Sequence, residues 1–91
     1  MRVRFTKQAV RDLNDAYEYI HADSPRSAGA VIERIEHTIE TIAKHPGIGK
    51  KGRLADTREF RVLHTPFIVV YRTHADELQI LSVLHASRRY P

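Results

Sequence analysis

The sequence predicts an α+β domain: a strand, an antiparallel helical hairpin, then three antiparallel strands that the hairpin covers on one side. Three observations predict it. Residues 7–21 and 25–45 carry apolar side chains at helical spacing, with a break of only a few residues between them. Residues 59–64, 67–72 and 77–85 are strand-length runs rich in β-branched and aromatic residues, separated by short polar breaks. The opening segment alternates Val3 and Phe5 with Arg2 and Arg4, the period of a half-buried strand.

The elements follow in order. Thr6 is placed to cap the first helix, with Phe5 and Val10 as a hydrophobic staple across the cap. Ala9, Leu13, Ala16, Tyr17 and Ile20 recur on one face of it, and Arg11, Asp12, Asn14, Asp15 and Glu18 fill the other, so it should end near His21–Asp23. Ser24-Pro25 supplies a capping hydroxyl and a proline at the first position of the next helix. Ala28, Val31, Ile32, Ile35, Ile39 and Ile42 make its apolar stripe, and Pro46-Gly47 stops it. The turn-rich stretch Pro46–Gly52 is expected to be a flexible connector. It lacks the Walker spacing and no helix signal follows it, so it is not a phosphate cradle. Phe67–Tyr71 is apolar without alternation, as in a central strand covered on both faces. The tail, Ala86 to Pro91, is too short to fold alone.

Composition narrows the class. Residues 1–91 are expected to form one domain, near the lower size limit for a self-sufficient core. With no cysteine there is neither a disulfide framework nor a thiolate metal site, and a domain without such staples can gain stability from a partner. His21, His37, His45, His64, His74 and His85 show no ligand-pair spacing, so no metal and no cofactor is expected. No apolar run approaches the roughly 20 residues of a membrane span and the start is no signal peptide, so a cytoplasmic location is expected. The net charge of +4 sits wholly in residues 46–91, and arginine outnumbers lysine eleven to four. That bias favours planar, bidentate contacts with an acidic or nucleic-acid partner. Arg58, Arg61, Arg72, Arg88 and Arg89 border the hydrophobic strands, which makes that border the place to look for function.

Several segments, taken in order, carry a resemblance. They are Val3-Arg4-Phe5-Thr6 with Ala9 and Asp12-Leu13, then Ile42-Ala43-Lys44-His45-Pro46-Gly47-Ile48-Gly49. Arg58-Glu59-Phe60-Arg61-Val62-Leu63 and Phe67-Ile68-Val69-Val70-Tyr71-Arg72 continue it, and Ile80-Leu81-Ser82-Val83-Leu84-His85 with Arg88-Arg89-Tyr90-Pro91 closes it. Nearly the whole chain thereby resembles the RelE/ParE superfamily of toxins from type II toxin–antitoxin pairs. The His-Pro-Gly-Ile-Gly helix end, the Tyr-Arg of the central strand and the Arg-Arg-Tyr-Pro ending look more like the ParE side. The resemblance implies two alternative activities. ParE-like members inhibit DNA gyrase by binding it, whereas RelE-like members cut mRNA in the ribosomal A site. It also implies a cognate antitoxin, ParD-like with an acidic C-terminal segment, encoded beside this gene. A non-toxic antitoxin-binding domain is the third reading.

The two chemistries ask for different surfaces. A ribonuclease needs a base, an acid and cations on the phosphate, for which Glu59, Arg61, His85 and Tyr90 are the candidates. Strand parity places Phe60 and Val62 toward the helices and Glu59, Arg61 and Leu63 on the open face. On the last strand Leu78, Ile80, Ser82 and Leu84 form the more apolar set and are assigned to the helices. Gln79, Leu81, Val83 and His85 then join Arg61 on the open face. Leu63, Leu81 and Val83 would interrupt any cationic surface there, and an apolar face with arginines suits protein binding better. Target contacts are expected at Arg61, Arg72, Arg88, Arg89 and Tyr90, and antitoxin contacts at Arg58, Arg61, Leu63, Leu81 and Val83.

Overall fold

The computed structural model describes residues 1–88, Arg88 by its backbone alone. The chain runs β1 (Arg2–Phe5), α1 (Lys7–His21), α2 (Pro25–Lys44), β2 (Lys50–Lys51), β3 (Arg58–Arg61), β4 (Phe67–His74) and β5 (Glu77–His85), with 3-10 turns at Pro46–Ile48 and Ala86–Arg88. Both helices begin as their sequences dictate. The Thr6 hydroxyl accepts from the Ala9 amide at 3.1 Å, and the Ser24 hydroxyl accepts from the Ser27 amide at 3.3 Å. Phe5 and Val10 are 38% and 46% exposed, so the expected staple carries little burial. Tyr17 belongs to the exposed side of α1, not to its core stripe.

The sheet is mixed, not purely antiparallel. Its order is β1-β5-β4-β3-β2, with β1 parallel to β5 and every other pair antiparallel. The helical hairpin returns the chain so that its last strand lies alongside its first, a long-range pairing that local patterning does not encode. The expected flexible connector also contains a strand, since Lys50 and Lys51 pair with Glu59 and Arg58. β4 lies at the centre and Phe67, Ile68, Val69, Val70 and Tyr71 are all buried, as its unbroken apolar run requires. Ala9, Ala16, Ile35, Ile39, Ile42, Leu78 and Ile80 complete the core between helices and sheet.

β5 carries the decisive irregularity. Val70 pairs with Ser82 but Tyr71 pairs with Ile80, so Leu81 is an extra residue bulged out of the ladder. A bulge of one residue reverses which face every later side chain meets. Leu78 and Ile80 do face the helices, but so do Val83 and His85, while Ser82 and Leu84 turn to the open face. Asp12 of α1 braces the bulge. Its Oδ2 accepts from the Ser82 hydroxyl at 2.6 Å and from the Val83 amide at 2.9 Å, and the Thr6 hydroxyl donates to the Leu81 carbonyl at 2.9 Å. Asp12→Ala is expected to lower unfolding free energy by about 2–3 kcal/mol in urea titrations, because two hydrogen bonds to a charged acceptor vanish and an amide is left unpaired.

The β4–β5 hairpin closes through Ala75-Asp76, with Ala75 at φ 54°. That left-handed conformation suits glycine. Ala75→Gly should therefore raise stability by roughly 0.5–1 kcal/mol despite the added freedom of the unfolded chain. An unchanged or lower urea midpoint would contradict this.

Candidate target-binding face

The open face of the sheet is polar at its margins and apolar at its centre. The buried Ile68 and Val70 and the half-buried Leu81 and Leu84 lie along the middle, and the segment from Arg53 to Thr57 folds against Val70, Leu81 and Leu84. Arg53, Leu54, Thr57, Glu59, Val70 and Leu81 help line a cavity of about 320 Å³ there. Glu59 sits in its wall. It does face away from the helices, as parity required, but it is only 5% exposed, and its Oε2 accepts from the Arg53 amide at 3.4 Å.

The cations stand around this centre. Arg61 is exposed and pairs with Ile68, so it borders the apolar row on one side. Arg72 is exposed at the other end of the face, its Nε donating to the Gln79 Oε1 at 2.7 Å. Gln79 in turn donates to the Glu77 Oε1 at 2.9 Å, and Arg4 approaches that oxygen at 3.7 Å. The Gln79 hydrogen bond chiefly, with Arg4, Arg2 and His74 nearby, holds the Glu77 carboxyl below its ordinary pKa. Arg58 lies on the opposite face. Its Nη1 donates to the Gly49 carbonyl at 2.7 Å, fastening the helix-to-sheet loop.

The residues singled out from sequence are therefore divided. Glu59, Arg61, Arg72 and Leu81 lie on the open side. Leu63 is 72% exposed in the turn after β3, where His64 takes φ 61° and ends the strand earlier than its composition suggests. Val83, expected on the open face, is 4% exposed beneath α1, because the Leu81 bulge turns it inward. For the same reason His85 does not join Arg61. It meets the Phe67 ring edge-on at 5.3 Å and the Tyr19 ring at 6.4 Å, and its Nδ1 is 2.7 Å from the Ser87 hydroxyl. The side chain of Arg88, and Arg89 and Tyr90 altogether, lie outside the described residues.

Sequence reading passed over the group that fixes the rim. Tyr71 is fully buried. Its hydroxyl donates to the Pro46 carbonyl at 2.6 Å and accepts from the Gly49 amide at 2.9 Å. Burial pushes its phenol above the ordinary value, against the opposing effects of the Gly49 amide and Arg58.

A sequence model of the ParE toxin of type II toxin–antitoxin systems, parDE, matches residues 3–90. The chain belongs to the ParE toxin family. A relative of this ParE-family chain, "Putative toxin Y4kP" of Sinorhizobium fredii, is 37% identical over 90 residues, covering 99% of this chain and 93% of its own. Solved structures share the ParE-family fold at lower identity. The chromosomal ParDE system of P. aeruginosa superposes with a TM-score of 0.83 at 23% identity, covering 93% of this chain and 95% of that one. The intact E. coli RelBE toxin–antitoxin complex gives 0.72 at 15%, covering 96% and 98%. The YoeB–YefM complex of Staphylococcus aureus gives 0.60 at 22%, covering 91% and 93%. The resemblance read from the motifs thus holds at the level of family and fold. No helix among the described residues is long and apolar enough to cross a membrane.

Proposed function

We propose that this toxin acts as a binding inhibitor of DNA gyrase and is held inert by a ParD-like antitoxin. The observation that carries the reading is the separation of Arg61 from His85 by the Leu81 bulge, together with the half-buried Leu81 and Leu84 on the face that Arg61 borders. A ribonuclease needs base, acid and cation converging on one phosphate. Here Glu59 is sunk beside the Arg53 amide and His85 packs against Phe67 on the far side of the sheet. Aliphatic side chains framed by arginines instead make a protein-binding surface, where a few buried anchors and guanidinium forks dominate affinity.

The antitoxin reading draws on the charge balance and on a groove between α2 and β3. Thr38 and Thr41 line it on one side and Phe60, Val62 and Leu63 on the other, with a volume of about 760 Å³. An apolar segment suits the Phe60, Val62 and Leu63 side of that groove, whose rim holds Glu33 and Arg34, and acidic residues in it would suit the chain's net charge of +4. The decisive experiment adds purified toxin to gyrase supercoiling reactions and, separately, to translating ribosomes. Supercoiling should stop while mRNA stays intact, and adding the neighbour-encoded antitoxin should restore it. Codon-specific A-site cleavage with normal supercoiling would replace this reading by the ribonuclease one. Expression without growth arrest would reduce the chain to an antitoxin-binding domain.

A further inference from the structure

One end of the sheet holds a concavity that the gyrase reading does not use. It lies where β2, the start of β3 and the end of β4 meet, and has a volume of about 610 Å³. Its lining is Lys51, Asp56, Thr57, Arg58, Arg72, Thr73 and His74, three permanent cations against one carboxylate. Two features set it apart from the rest of the surface. Each of its arginines is oriented by the protein, Arg72 through Nε to Gln79 and Arg58 through Nη1 to the Gly49 and Gly47 carbonyls. Both keep further N–H groups for a ligand, and a fork held in place loses less freedom on binding. Among the described residues the lining contains no aliphatic side chain, and its one ring is the exposed imidazole of His74.

That second feature discriminates between ligands. A protein partner is anchored by apolar or aromatic groups in desolvated pockets, and this site offers only the solvent-exposed His74 ring. Backbone phosphates of nucleic acids are held by lysine, arginine and threonine side chains together, the set present here. The cations also extend across the face. Arg4 on β1 and Arg72 on β4 flank Gln79 of β5 in one row. Two strand spacings of about 4.8 Å set them roughly 10 Å apart at the backbone.

We propose that this concavity is a phosphodiester-binding site, and that it grips the DNA held by the topoisomerase while the apolar centre of the open face binds the enzyme itself. The assignment rests on the gyrase reading for its source of DNA but not for its chemistry. Lys51 and Arg72 provide charge to the phosphate oxygens, and the exposed Thr73 offers a hydroxyl donor, whereas the buried Thr57 hydroxyl donates to the Leu54 carbonyl. The contact reads no base sequence.

The test uses the purified full chain and a fluorescent duplex DNA of mixed sequence, followed by anisotropy from low to physiological salt. Lys51→Gln and Arg72→Gln should each weaken binding several-fold at low salt and reduce the slope of log K against log salt by about one. Arg26→Gln, which removes the same charge from the start of α2, should change neither. Equal losses from Arg26→Gln would overturn the site, because a diffuse basic surface then explains the binding. So would a poly-glutamate peptide that binds more tightly than DNA and is the ligand released by the two site variants. Supercoiling inhibition by the same variants separates the two proposals. If wild type inhibits gyrase but binds no DNA, the phosphate site falls and the gyrase reading stands. If DNA binding maps to Lys51 and Arg72 but gyrase is unaffected, the gyrase reading and the DNA source fall together.

Discussion

Gly49→Ala is expected to destabilise the toxin by about 3–5 kcal/mol, from roughly 1–3 for overpacking and about 1 for each of two hydrogen bonds lost. At φ −73° any residue could adopt the Gly49 backbone, so its conformation is not the reason. Space is the reason. A Cβ there would stand 2.6 Å from the Tyr71 hydroxyl and 3.0 Å from the Glu59 carbonyl oxygen. The hydroxyl must move, and it then loses both the Gly49 amide and the Pro46 carbonyl. For a chain of 91 residues with total stability of about 5–14 kcal/mol, that is a large share.

Two further measurements check the cause. Tyr71→Phe should cost about 2–3 kcal/mol by leaving the same buried partners unsatisfied. The double variant should lose less than the sum, because removing the hydroxyl relieves the closest contact. Alkaline pH gives the third handle. The folded-state pKa of Tyr71 is raised by burial, so its contribution is intact below the unfolded value near 10 and fades as pH rises through the folded value. Urea midpoints of the wild type should fall in that range more steeply than those of Tyr71→Phe. Parallel curves, or a Gly49→Ala midpoint equal to wild type, would remove this latch from the account.

If the toxin inhibits gyrase as proposed, Arg61→Ala should weaken that inhibition about 10- to 100-fold, the effect of losing an anchor of about 1–3 kcal/mol. His85→Ala should leave inhibition within a few-fold of wild type, since that ring faces α1 and Phe67 rather than the open side. A dose series in the supercoiling assay reads both, with circular dichroism confirming that each variant folds. The opposite ranking would be decisive in another direction. A fall of several orders of magnitude for His85→Ala is the behaviour of a proton-transfer group, not of a packing one.

Much of this architecture was written locally in the chain. The two helices announce themselves through their caps and periodic stripes, and β4 through five consecutive buried apolar residues. What escaped was non-local or a single step out of phase. β1 finds β5 across more than seventy residues, and no pattern in Arg2–Phe5 names that partner. The Lys-Lys strand has no β-propensity of its own and exists because Tyr71 and Arg58 pin the loop before it. The bulge did leave a trace. Apolar residues fall at 78 and 80, then at 81 and 83, so Ile80 and Leu81 stand side by side where strict alternation would part them. Reading through that stutter with one phase put His85 and Val83 on the wrong side. The side on which Arg61 lies was legible because β3 is regular up to its end, whereas Leu63 falls in the turn beyond it and the burial of Glu59 depends on a loop that folds back over it.

The pairing of the first strand with the last has a consequence for synthesis. Until β5 emerges from the ribosome, the N-terminal segment lacks the neighbour that completes its edge, and the face that β5 helps to build does not exist. The nascent polypeptide therefore cannot assemble that face during elongation, and the surface matures in one late step, after β5 has left the ribosome.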